Sequence, residues 1–80
     1  MNIEQLRSVF RKSLELPADH PVDDLAYREI EKWDSLAHMS LVAAIEDEFD
    51  VLLDTDDVID LSSFSKAREI LERLDVAFTG

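Results

Sequence analysis

Cysteine is absent from this chain of 80 residues, glycine occurs once and proline twice. Without cysteine there is no disulfide framework, no thiolate metal site and no thiol nucleophile. Glycine this scarce argues against tight hairpins and a glycine-rich phosphate loop, and it favours helices. No apolar run approaches the roughly 20 residues that a membrane span requires, and the amphipathic opening MNIEQLRSVF does not read as a signal peptide. The chain is therefore expected to be cytoplasmic. Basic side chains are missing from one long stretch as well. Residues 34–60 hold nine acids (Asp34, Glu46, Asp47, Glu48, Asp50, Asp54, Asp56, Asp57 and Asp60) and neither Lys nor Arg. A field this one-sided repels nucleic acid and anionic lipid, and it steers basic protein surfaces towards itself.

What is present is enough to fold. Hydrophobic residues make up 46 % of the sequence and charged ones 34 %, a balance of a globular domain rather than a disordered segment. The length supports one domain over 1–80, with a single small core and no large catalytic cleft. Ile3, Leu6, Val9, Phe10 and Leu14 recur at spacings of three and four, which predicts an amphipathic helix over 2–15. Both prolines lie in the next stretch, 16–33, where Val22, Leu25, Tyr27, Ile30 and Trp33 are spaced too irregularly for one helix. This segment reads as an ordered loop pinned to the core by those side chains, with room for one short helical turn. A loop of this length in so small a domain has to be anchored or functional.

A second helix is expected from Ser35 to Phe49, capped by Asp34 and burying Leu41, Val42, Ile45 and Phe49. Met39 and Ala43 follow Ser35 at intervals of four, on the serine's own face beside that stripe. Glu46, Asp47 and Glu48 crowd the helix C-terminus, where acids oppose the dipole and cost stability. A short helix near 56–61, begun by Thr55 or Asp54, should bury Val58 and Leu61. A final helix from Ser63 to Leu74, capped by Ser62 or Ser63, follows from Phe64, Ala67, Ile70, Leu71 and Leu74, and the tail VAFTG should fray. The expected fold is all-α: a small four-helix bundle with a long loop between helices one and two and a very short third helix.

Two catalytic readings fail on these residues. Asp34, Ser35 and His38 look like a compressed hydrolase triad, but Asp34 cannot orient the imidazole from the far side, and no nucleophile elbow or oxyanion donor accompanies them. His38 reads instead as a partly exposed helix residue. The stretch DTDDVID offers Val58 and Ile59 where a calcium loop needs an oxygen ligand and glycine. No metal site and no catalytic residue are expected.

The run D-S-L at 34–36, followed by H-M-x-L-V-x-x-I-E-D-E-F through Phe49 and D-V-I-D-L-x-S-F at 57–64, resembles the acyl carrier proteins over essentially the whole chain. That resemblance implies a 4'-phosphopantetheine arm attached to Ser35 as a phosphodiester, with Asp34 and Leu36 completing the attachment motif and a terminal thiol carrying acyl groups as thioesters. It implies as partners a phosphopantetheinyl transferase and acyl-loading and acyl-transferring enzymes with basic surfaces, which a monomeric carrier would meet through Met39, Glu46, Asp47, Glu48 and Asp57. Met39, Ala43 and Val58 are the residues expected around an acyl-chain opening between helices two and three. The chain departs from many members at Lys32 (commonly Gly), Trp33 (commonly small) and Ser40 (commonly an acid). Trp33 reads either as a buried loop anchor or as an exposed partner contact. A peptidyl or aminoacyl carrier, or an acidic adaptor without the arm, stays open as an alternative.

Overall fold

A computed structural model describes residues 3–29 and 31–78 as four helices joined by one long and two short connections. Helix α1 (Ile3–Ser13) buries Ile3, Leu6, Val9 and Phe10. Helix α2 (Ser35–Phe49) buries Leu41, Val42, Ile45 and Phe49 and packs directly against α1. Helix α3 (Thr55–Asp60) is a turn and a half, and α4 (Phe64–Arg73) closes the bundle with Phe64, Ala67, Ile70 and Leu71. No strand forms among the described residues. The predicted stripes thus meet in one core, and the helix ends fall within two residues of expectation. Residue 2, the predicted start of α1, and Ile30, a predicted loop anchor, lie outside the described residues.

Each later helix starts on a side-chain cap. Asp34 accepts the Ala37 N–H at 2.8 Å, Asp54 accepts that of Asp57 at 2.8 Å, and Ser63 accepts that of Lys66 at 3.0 Å. Three helix ends show what the shortage of glycine entails. Glu15, Asp50 and Asp75 take the left-handed conformation just past α1, α2 and α4, at φ of 55°, 54° and 70°. Glycine usually fills such positions, and a side chain there costs roughly 1 kcal/mol.

The described residues of the long loop form turns but no helix. Its middle is stapled to the α3–α4 connection by the Tyr27 N–H on Ser62 O (2.7 Å) and the Phe64 N–H on Leu25 O (3.0 Å), an isolated antiparallel bridge between Ala26 and Ser63. Val22, Leu25 and Trp33 are buried, so Trp33 is a core anchor and not a partner contact. Phe10 lies between the Trp33 and Phe64 rings, edge-on to each at 5.5 and 5.1 Å. The loop is also tied to α1 from outside. Arg7 meets the Asp23 carboxylate with two donors at 2.8 and 2.9 Å and also reaches Glu4, while Arg11 bonds Glu4 and the His20 carbonyl.

Two expectations are corrected. The tail does not fray over its described part: Val76 is buried in the core and Phe78 packs against it, its ring standing edge-on to Phe49 at 5.6 Å, which removes both side chains from water. Thr79 and Gly80 lie outside the described residues. In α3, Val58 is only half-buried, and the buried residue is Asp57.

The Arg7 and Arg11 guanidiniums hold the Glu4 carboxyl below its usual value of 4.5, and Arg7 holds that of Asp23 below 3.8. A lowered folded-state value means stability that is fully present above the unfolded value and lost as pH falls through the folded one. The double variant Glu4→Gln/Asp23→Asn is therefore expected to be less stable than wild type at pH 7, with the gap closing as pH falls below 4.5. Urea midpoints measured across that range check it. Both side chains are largely exposed, so the gap at neutral pH is small.

Candidate functional site: an exposed serine at the start of helix two

Ser35 is the first residue of α2 and is exposed to solvent. The helix forms here because Asp34, in extended conformation, caps it with its side chain while its carbonyl accepts the His38 N–H at 2.8 Å. The cap occupies the Ala37 N–H, and the Ser35 and Leu36 N–H groups precede the first possible intrahelical acceptor. An anionic group on the Ser35 oxygen would therefore meet free helix donors and the positive end of a 15-residue dipole. Leu36 is 80 % exposed and Met39 56 %, so the serine sits on an apolar surface patch.

Beneath it lies an aromatic and imidazole cluster. The buried Trp33 Nε1–H donates to His38 Nδ1 at 3.0 Å. An indole nitrogen can only donate, so Nδ1 is the acceptor and the other ring nitrogen bears the proton. His38 Nε2–H accordingly donates to the Val58 carbonyl at 2.9 Å. Tyr27 stands edge-on to both rings, 5.0 Å from His38 and 6.0 Å from Trp33, and its hydroxyl is 3.1 Å from Ser35 Oγ. With both nitrogens engaged elsewhere, His38 is no base for Ser35, and the hydrolase reading fails on geometry.

The other expected site residues separate into groups. Tyr27, His38, Val58, Ile59, Leu61 and Ser62 line a cleft of about 240 Å³ between the loop and α3. Val58 belongs to this cleft, whereas Met39 and Ala43 are exposed on α2 and do not line it. Asp47 and Glu48 face solvent at the far end of α2. Glu46 is half-buried and accepts the Leu53 N–H at 2.8 Å, so it fixes the chain as it leaves the helix. Asp57, expected on the docking face, is 5 % exposed and paired with Arg73 of α4. A carboxylate so placed holds α3 against α4 and presents no charge to a partner. Among described residues no group of three or more His, Cys, Asp or Glu is arranged to hold a metal, and no helix is long and apolar enough to cross a membrane.

Tyr27 and His38 are the residues that sequence reasoning undervalued. The signal for His38 was present: it precedes Leu41, Val42 and Ile45 by three, four and seven residues and so shares their buried stripe. A buried tryptophan also requires an acceptor for its N–H.

A small helical bundle that offers an exposed serine at the start of its second helix is an arrangement that suits a carrier domain. Residues 4–77 match the family model of the phosphopantetheine attachment site, and the chain belongs to that family. Its members carry a covalently attached 4'-phosphopantetheine and meet phosphopantetheinyl transferases and acyl-handling enzymes. No curated protein matches the sequence.

The cluster carries an energetic expectation. His38→Ala leaves a buried indole N–H and the Val58 carbonyl without partners, and should cost about 2–3 kcal/mol in urea unfolding. A loss below about 0.5 kcal/mol would mean that the relay through His38 does not hold the loop to α3.

Proposed function

We propose that Ser35 carries the 4'-phosphopantetheine arm and that the protein is an acyl carrier, delivering thioester-bound acyl intermediates to partner enzymes. The observation that carries the assignment is the exposed hydroxyl at the start of α2 within the matched family span. When attached, the arm supplies a thiol, which this cysteine-free chain lacks, for thioester formation. Asp34 organises the helix start, and Leu36 forms the apolar contact beside the serine for the transferase. Met39, Asp47 and Glu48 extend that contact along α2, Met39 burying apolar surface against partners and the two acids steering their basic faces. Glu46 supports this surface from behind through Leu53. The cleft at Val58 shelters the part of the acyl chain nearest the arm, in place of the Met39 and Ala43 opening expected from the sequence. The acidic surface favours acyl over peptidyl or aminoacyl cargo, and the carrier works as a monomer in the cytoplasm.

Incubation with coenzyme A and a broad phosphopantetheinyl transferase should add the mass of one arm, and Ser35→Ala should abolish the gain. Because Asp34 already caps α2, the same substitution should cost at most about 1 kcal/mol of stability. Wild-type protein that gains no mass across several transferases, or a Ser35→Ala variant that still gains it, would replace this reading by that of an unmodified acidic adaptor.

Electrostatic docking predicts a second outcome. Modification should slow severalfold between low salt and about 0.5 M salt, since exposed charges are screened over a few Å there. Asp47→Asn/Glu48→Gln should slow it at low salt while leaving the fold intact. Modification kinetics followed by mass spectrometry check both, and rates indifferent to salt and to the double change would remove the acids from docking.

A further inference from the structure

The Tyr27 hydroxyl, 3.1 Å from Ser35 Oγ, has no part in the packing that holds its ring. That ring is fixed by the edges of Trp33 and His38, by its backbone N–H on Ser62 O, and by the Arg28 guanidinium 6.0 Å above its face. A phenylalanine would make the same ring contacts. We propose that Tyr27 is a positioning residue for arm attachment: its hydroxyl sets the direction of Ser35 Oγ before transfer and donates to the phosphodiester afterwards. The proposal rests on the assignment of Ser35 as the attachment site.

The chemistry constrains the direction of this hydrogen bond. In the transfer, Ser35 Oγ attacks the pantetheine-bearing phosphorus of coenzyme A. The new O–P bond forms as the pyrophosphate P–O bond breaks, adenosine 3',5'-bisphosphate leaves, and the serine proton passes to a base of the transferase. Before that step either hydroxyl can donate to the other. If Tyr27 donates, the Ser35 proton is left pointing away from the fold, where a base on the partner can take it. Afterwards Ser35 Oγ is an ester oxygen without a hydrogen, so only the donor direction from Tyr27 survives, to that oxygen or to one of the charged oxygens beside it. The ring's clamps keep the hydroxyl near the site in both states. A donor at this point also offsets the exposed Asp34 carboxylate, the anion next in sequence to the phosphodiester.

Tyr27 is the one tyrosine of the chain, so its resonances are read without ambiguity. In wild-type protein the Tyr27 ¹³Cζ resonance is expected to move between the unmodified and modified forms, and its failure to move would overturn the proposal without any variant. For Tyr27→Phe, transferase kinetics are expected to show kcat lowered about tenfold with KM within about twofold of wild type. The ³¹P resonance of its phosphodiester should be displaced from that of wild type, a readout that a ring serving only as packing would leave alone. Wild-type kcat with an unchanged ³¹P resonance would overturn the proposal while leaving Ser35 as the attachment site. A change confined to KM would make Tyr27 a transferase contact and would overturn it equally. Wild-type protein that takes up no arm would overturn both readings at once.

Discussion

A single buried N–H governs the arrangement around the serine. Trp33 is fully enclosed, and an indole donor so placed must find an acceptor or cost the domain a sizeable part of a narrow stability margin. His38, in the first turn of α2, supplies it, and that choice dictates the imidazole's tautomer and therefore the second bond to the Val58 carbonyl. The end of the loop, the start of α2 and the middle of α3 are thereby fixed by two hydrogen bonds through one ring. Phe10 extends the fixation to α1 and, through Phe64, to α4. α3 is too short to be stable alone, and it is held by this relay on one side and by the Asp57 pair with Arg73 on the other.

The acids that look uniform along residues 34–60 fall into two populations. Asp34 and Asp54 cap helices, Glu46 accepts a backbone N–H and Asp57 is paired in the interior. Asp47, Glu48, Asp50, Asp56 and Asp60 stay exposed. The basic residues Arg7 and Arg11 are spent on the loop and on α1 itself, and they do not neutralise α2. Beside the serine the charge is mixed, since Lys12 and Lys32 share a pocket with Asp34 and Leu36 and the Arg28 guanidinium lies over the Tyr27 ring, whereas the exposed acids further along residues 34–60 have no base among them in the sequence.

The helices were legible because their signals are local. Periodicity placed the buried stripes of α1, α2 and α4, and capping residues marked where helices begin, Asp34 outright and Asp54 and Ser63 each as one of two adjacent choices. The place of Ser35 at the start of α2 was legible for the same reason, beside its cap at a pattern boundary. What could not be read was pairing between distant segments. Nothing near Asp57 announces Arg73, nothing near Tyr27 announces Ser62 or Ser35, and nothing near Phe78 announces Phe49. The cleft at Val58 was half-read for the same cause: Val58 was placed near it, but its other wall is Tyr27 from the loop and His38 from the inner face of α2. Side chains on one element follow from spacing, whereas partners across elements follow from topology.

The cluster beneath Ser35 contains the chain's one tryptophan and its one tyrosine, with ring centres 6.0 Å apart. At that separation an excited phenol passes its energy to the indole, and the emitted light comes from Trp33, whose brightness and colour depend on the stacked imidazole and on the enclosure around it. The fold thus links an intrinsic fluorophore to the hydroxyl of Ser35 through the Tyr27 ring. Events at the surface above it can be followed in the untouched protein by its own ultraviolet emission, with no dye attached.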